Sequence, residues 1–299
     1  MVEHEYFTMG LLARRASQGD EMTTRIVTDS ASDIPREEAQ KLGISIVPLT
    51  VSFGEEVYRD GIDLNAGEFY PKLAQNKILP KTSQPSVGSF IDTYKTLAQE
   101  NSEIISIHIS NKLSGTYNAA LQAKEAMGKD CHIEVIDSES VSMGSGLTVI
   151  AAAKAIRDGA SFKEAMDIVR QSIPRIRLLA FLQTLEYAER GGRLGKGKAL
   201  LGALLHVKPL ITLRGGEVQP SGMARTRTSA LQRLRNFVKA LLHIRELSIM
   251  YTTVLEDVEE LAGLLAPIFP RDRILVAQAG SALGTHTGPG TLAVATLVE

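Results

Sequence analysis

Between residues 24 and about 170 the chain alternates short apolar runs with amphipathic stretches, and this rhythm constrains the fold more than any other feature. "TRIVTDSASDIP" reads as a buried strand at Ile26 and Val27 that opens into a Ser/Asp loop. Asp33 is expected to N-cap the next helix, with Pro35 in its first turn and Glu37 and Glu38 complementing its dipole. Gly43 closes that helix, "ISIVPLTVSF" is strand-like, and a short helix near "NAGEFYPKLAQ" interrupts an irregular stretch. Val87, Phe90, Ile91, Tyr94 and Leu97 then recur at the spacing of one buried helix face. "EIISIHIS" is a strand, "YNAALQAKEAM" a helix and "HIEVIDS" a strand, with helices predicted near 144–158 and 161–173. Such repetition implies right-handed crossovers, so the expected fold class is α/β with a mostly parallel sheet in the N-terminal domain.

The rhythm then changes. "RIRLLAFL" is strand-like, "TLEYAERGGRLGK" is a short helix ending in glycines, and "KALLGALL" is an apolar helix. "KPLITLRGGEVQPSGMA" holds two strand runs around Arg214-Gly215-Gly216, the pattern of a hairpin. "TSALQRLRNFVKALL" is helical, "ELSIMYT" a strand, "DVEELAGLLAPI" a helix and "DRILVAQAG" the last clear strand. The expected domains are therefore 24–172, N-terminal α/β, and 173–299, mixed α/β and C-terminal. Residues 1–23 show no periodicity and read as a poorly ordered extension, without the apolar core and cleavage site of a secretion signal.

Charge and cysteine content narrow the partners. With 33 basic and 34 acidic residues the net charge is −1, which supplies no electrostatic reason to expect nucleic acid. No apolar run approaches the ~20 residues of a membrane helix: Lys154 cuts one, and His206, Lys208 and Pro209 cut another. Cys131 stands alone, which excludes an internal disulfide and fits a reducing, cytoplasmic setting.

Candidate chemistry sits at the junctions. Open α/β sheets bind ligands outside the carboxyl ends of their strands, where "TDSASD", "KTSQPS" and "NKLSGT" are all expected. Their hydroxyls either cap helices or meet a ligand, and the helix after Ser114 and Thr116 has free N–H groups that favour an anion. Gly192 to Lys198 has the spacing GxxxxGK, but Ala199 replaces the Mg²⁺-binding hydroxyl and a helix precedes the glycines, so a nucleotide site is not expected. "AGSALGTHTGPGT" places His286 between Thr285 and Thr287 in a Gly/Pro loop. The six histidines are scattered without metal-ligand spacing, and no cofactor is indicated. A Ser114/His286 dyad acting as an esterase or thioesterase remains the alternative, although G-x-S-x-G is absent.

Taken together, "TDSASD", "KTSQPS", "LSGTYNAA", "LEYAERGGRLGK", "VKPLITLRGGEV" and "GTHTGPG" resemble, in order and approximate spacing, the DegV family of bacterial proteins that bind long-chain fatty acids. The similarity covers about residues 24 to 299. It implies a two-domain α/β fold with the acyl chain buried between and within the domains. It also implies a carrier without catalysis of its own, which presents the carboxylate to a separate fatty acid kinase ATP-binding subunit for acyl-phosphate formation and phospholipid synthesis. By the same resemblance, hydroxyls of Thr82, with Ser83 beside it, and of Ser114 bind the carboxylate. His286 matches the head-group histidine, Arg193 the glycine-flanked arginine, and Asp29 and Ser30 the acidic-serine loop. Gly115, Thr116, Thr285 and Thr287 adjoin these positions and are expected near the head group or the partner. The departures are the N-terminal extension and Ala188 within the E-Y-x-x-R-G-G motif; "KALLGALLHV" is a candidate for the tail wall or a plain core helix.

Overall fold

Ile26 and Val27 point to opposite faces of strand β1 (Thr23–Asp29), and that alternation organises the first half of the molecule. In the computed structural model, which describes residues 23–99, 102–129, 131–200 and 207–299, β1 lies inside a parallel sheet of order β2-β1-β6-β7. Its neighbours are β2 (Ile44–Val47), β6 (Ser102–His108) and β7 (Ile133–Asp137). Val27, Val47, Ile104 and Val135 pack against Phe90 and Tyr94 of α3 (Val87–Ala98) and Ala119, Ala120 and Ala123 of α4 (Thr116–Met127). Ile26, Ile44, Ile105 and Ile107 face the other way, onto α5 (Met143–Arg157).

A second sheet has the order β10-β9-β8-β13-β11-β12. It comprises β8 (Ile176–Phe181), β9 (Lys208–Arg214), β10 (Glu217–Ala224), β11 (Ile244–Tyr251), β12 (Ile274–Gln278) and β13 (Leu292–Val298). Its pairs are antiparallel except β11 with β12. One face, including Phe181 and Val294, packs on α8 (Arg227–Lys239) and α9 (Leu255–Leu265). Leu178, Ala180, Ala293 and Ala295 on the opposite face join α5 in the core that α5 shares with the first sheet. α5 is buried at every position from Met143 through Ile150, with Ser145 and Thr148 among its small and apolar residues, as suits a helix covered by a sheet on either side. Gly146 allows that approach: a Cβ there would stand 2.8 Å from the Ser32 carbonyl.

Several sequence expectations need correction. Asp33 does not cap the helix that follows it: α1 (Arg36–Lys41) begins after Pro35 without a side-chain cap. Asp33 instead adopts a left-handed φ of 51° and buries a carboxyl that accepts from Ser142 Oγ at 2.5 Å and Gly280 N at 2.8 Å. Long-range donors outcompeted the local cap, because each would otherwise be buried unpaired. Pro48 divides "ISIVPLTVSF": β2 joins the parallel sheet, whereas β3 (Thr50–Phe53) joins β4 (Glu56–Arg59) and β5 (Lys81–Ser83) in a separate antiparallel sheet. The first half of "KTSQPS", Lys81–Ser83, is therefore an antiparallel strand, with Thr82 opposite Val51, and not a loop of the parallel sheet, while Ser86 N-caps α3. α2 (Ala66–Gln75), opened by an Asn65/Glu68 capping box, covers this small sheet with Phe69 and Leu73.

Two further differences lie near the C-terminus. The strand after "DRILVAQAG" was not expected, yet β13 pairs with both β8 and β11 in the sheet interior. Buried on both faces, it is apolar throughout apart from Thr296 and does not alternate, and such a run does not declare itself as strand or helix. His286 lies on a short helix, α10 (Ser281–Thr287), and not in a loop. "KALLGALL" meets the description only at its start, where Gly195–Leu200 form a 3₁₀ turn; residues 201–206 and the extension through residue 22 lie outside the described residues. Among the described residues no helix is long and apolar enough to cross a membrane.

Leu147, 1% exposed at the centre of the shared core, tests this arrangement. Leu147→Ala should lower unfolding stability by about 2–5 kcal/mol, read as an earlier midpoint in urea.

Candidate functional site

Neutral hydrogen-bonding side chains from three elements converge on one cavity. β5 and the residue after it supply Thr82, Ser83 and Gln84; the turn into α4 supplies Ser114 and Gly115; α10 supplies His286 and Thr287. The cavity is about 460 Å³ in volume, within the range of small-molecule sites. Away from these groups its wall is apolar, formed by Leu49, Ile109, Leu113, Leu182, Ile211 and Leu283 among others. Val141, Ile211, Val218, Leu283 and Thr287 also line a smaller apolar space of about 70 Å³. That space extends toward Ala180, Met250 and Ala293 on the inner face of the second sheet.

The polar end is ordered from behind. Thr82 Oγ1 and His286 Nε2 are 2.7 Å apart, while His286 Nδ1 is buried without a hydrogen-bond partner. A Cβ at Gly191 would stand 2.1 Å from that Nδ1, so glycine lets the turn after α7 (Glu186–Arg190) close on the ring. Burial, and then the charge of Arg193, lower the His286 pKa to about 4, so the ring is neutral at pH 7. Arg193 itself lies at the rim, donating from Nε to the Leu113 carbonyl at 3.3 Å and from Nη1 to the Gly191 carbonyl at 2.7 Å.

Two buried carboxyls set the start of α10. Asp33 Oδ1 accepts from Gly280 N, and Asp60 Oδ1 accepts from Ser281 N at 2.8 Å and Ser281 Oγ at 2.6 Å. Acceptors at a helix N-terminus satisfy orphan N–H groups and suit the dipole. Burial raises both carboxyl pKa values, that of Asp33 to about 7.

Of the sequence-predicted positions, Thr82, Ser83, Ser114, Gly115, Arg193, His286 and Thr287 line the cavity. Thr116 is buried behind it, its Oγ1 2.8 Å from Ser114 Oγ. Thr285 donates to the Ser281 carbonyl inside α10, and Ser30 Oγ accepts from Leu49 N. Asp29 is fully buried and accepts from His108 Nδ1 at 3.0 Å and from Ile109 N, which anchors the loop before Ser114. These last three support the site without lining its cavity. Gln84 was overlooked although it stands within "KTSQPS"; the apolar wall, drawn from many elements, left no local signal.

Residues 23–299 match the sequence profile described as "Uncharacterised protein, DegV family". The chain belongs to the DegV family. A DegV domain-containing protein from Caldanaerobacter subterraneus subsp. tengcongensis is 35% identical over 272 residues, spanning 90% of this chain and 96% of the relative. Among solved DegV structures, one from Thermus thermophilus, described as fatty acid binding, superposes with a TM-score of 0.85 at 31% identity and covers 93% of this chain and 100% of its own. A stearic acid-binding protein from Eubacterium ventriosum gives a TM-score of 0.84 at 30% identity, covering 92% of this chain and 98% of its own. DegV from Bacillus subtilis, described as a fatty acid binding protein, gives 0.83 at 29% identity, covering 93% and 100%.

The depressed His286 pKa gives this DegV protein a pH signature. Between about 6.5 and about 4 the unfolded chain protonates this residue and the folded chain does not. The site therefore loses stability as pH falls through that window. NMR titration should place the His286 midpoint near 4, and wild type should lose stability relative to His286→Gln on acidification from 6.5 to 4.

Proposed function

We propose that the protein binds a long-chain fatty acid, with the carboxylate at Thr82, Ser83, Ser114 and His286 and the tail running past Leu283 toward Met250 and Ala293. The observation that carries this reading is the cavity's composition: neutral hydrogen-bonding groups gathered at one end, and an apolar wall continuing into a second apolar space. Its fatty-acid-binding DegV neighbours support the same ligand class.

The energetics favour a division of labour. Burying a methylene is worth about 0.8 kcal/mol, so roughly fifteen of them contribute on the order of 12 kcal/mol before ordering costs. The tail supplies most of the affinity. The head group must only find partners, because a buried carboxylate without them costs several kcal/mol. Hydroxyls meet that need, and the tautomer of His286 decides how well. If Nε2 carries the proton and donates to Thr82 Oγ1, the Thr82 hydroxyl proton is released toward the ligand. If Nδ1 carries it, Thr82 must donate to the ring and turns lone pairs on the carboxylate. An anionic ligand therefore selects the Nε2–H form.

Holding the carboxylate with neutral donors leaves charge on the oxygen that would attack the γ-phosphate of ATP bound by a partner. This suits a carrier that presents its acid to a separate fatty acid kinase, with Arg193 at the rim for the transferred phosphoryl group or for docking. Hydrolysis by a Ser114/His286 pair is not favoured. His286 Nε2 engages Thr82, Ser114 Oγ engages Thr116, and a ring with a pKa near 4 is a poor general base at pH 7.

Mass spectrometry of lipid extracted from the purified protein should find fatty acid, and titration should show palmitate or oleate binding. Thr82→Val and Ser114→Ala should each weaken that binding roughly ten- to a hundredfold, the loss of a hydrogen bond to a charged group. With a fatty acid kinase present, Arg193→Ala should reduce acyl-phosphate formation more than it reduces fatty acid affinity. Absence of bound lipid together with no uptake of palmitate or oleate would overturn the binding reading. Full acyl-phosphate turnover by Arg193→Ala would remove the role given to that residue.

A further inference from the structure

The turn into α4 contains a glycine that its backbone does not require. Gly115 has φ −76° and ψ 4°, a conformation open to residues with side chains. It is the N-cap of α4, a position where Asn, Asp and Ser lead, and it supplies no side-chain cap. What excludes a side chain there is Gln84. A Cβ on Gly115 would stand 1.9 Å from Gln84 Oε1, 2.7 Å from its Cδ and 3.0 Å from its Nε2. The carboxamide therefore lies in the space that any other residue at 115 would fill.

That placement spans the two hydroxyl clusters. Gln84 follows Ser83 in the chain, its amide rests on the residue after Ser114, and all four residues line the cavity. Among the described residues the amide has no hydrogen-bond partner. The donors around it are engaged. Thr82 Oγ1 meets His286 Nε2, Ser114 Oγ meets Thr116 Oγ1, and Arg193 turns Nε and Nη1 to the carbonyls of Leu113 and Gly191. A carboxylate offers about four acceptor sites, and each hydroxyl brings at most one proton to them. A carboxamide brings two N–H donors without a charge.

We propose that Gln84 selects the head group: its Nε2 donates to the ligand carboxylate, and Gly115 leaves the room in which that amide lies. The inference rests on the fatty-acid reading above and adds the residue that sets the preference for an acid over an uncharged head group. An amide has the same shape whichever edge it presents, and a carboxylate, which only accepts, takes the N–H edge. A hydrogen bond to an ionised acceptor is roughly twice as strong as a neutral one, so an alcohol in the same place gains less.

Titration with palmitic acid and hexadecan-1-ol, one tail with and without the charge, tests it. Gln84→Ala should weaken palmitate binding about tenfold and hexadecanol binding no more than about threefold. Gly115→Ala should do the same by displacing the amide. Added to Gln84→Ala, it should change palmitate affinity by less than about twofold. Wild-type palmitate affinity in Gln84→Ala, or an equal loss for both ligands, would overturn the selector role and leave the fatty-acid reading standing. A full further loss from Gly115→Ala in the Gln84→Ala background would overturn the pairing of the two residues. Failure of palmitate to bind the wild type would remove both readings.

Discussion

Burial of α5 between the two sheets is the constraint on which the rest of the molecule depends. A helix whose first half has no solvent face needs an apolar surface on either side, and here the first sheet and the second each supply one. That shared core joins parts of the chain more than a hundred residues apart, such as Ile105 and Ala293. It also sets where the cavity lies. Val141 and Ser142, immediately before α5, line the smaller apolar space, while Ser142 Oγ reaches Asp33 and its backbone N–H reaches Ala31. Ser142 holds φ 54° and ψ −146°, an unfavourable conformation for a residue with a Cβ, and those hydrogen bonds offset the strain.

From that frame the polar end follows through α10. A helix of seven residues has little intrinsic stability, so its position comes from what grips it. Asp33 and Asp60 grip its start, and Gly284 allows Phe69 and Tyr70 of the small-sheet unit to lie against its middle. The imidazole of His286 consequently meets Thr82 from a different sheet, across a sequence separation of 204 residues. Electrostatics agree with packing here: water-poor surroundings keep the ring neutral, and a neutral ring can share one proton with a hydroxyl without drawing a carboxylate into a tight ion pair.

Much of the fold was legible along the chain because its signals are local. The 3.6-residue spacing from Val87 to Leu97, the glycine pair between β9 and β10, and the strand–helix alternation around β1, β6 and β7 each required only neighbours in sequence. The cavity-lining hydroxyls at 82, 83 and 114 and the histidine at 286 stood out for the same reason, as polar residues at junctions and in a family pattern. What went unread depends on distant partners. Asp33 carries the composition of a cap, yet its donors come from residues 142 and 280. Leu292–Val298 carries no periodicity, because both its faces are covered.

By itself the sequence determined most of the segments that become strand or helix, which residues are oily, and which small hydroxyls stand at junctions, since backbone preference and burial tendency belong to short stretches of chain. Only the tertiary structure decided that Thr82 faces His286, that Asp29 and Ser30 stand behind the cavity and do not line it, and that β8 and β9 pair only from Leu179 to Phe181. Those outcomes rest on buried hydrogen bonds and packing between residues far apart in sequence. Such pairings exist only once the whole core has closed and each buried donor and acceptor has had to find a partner.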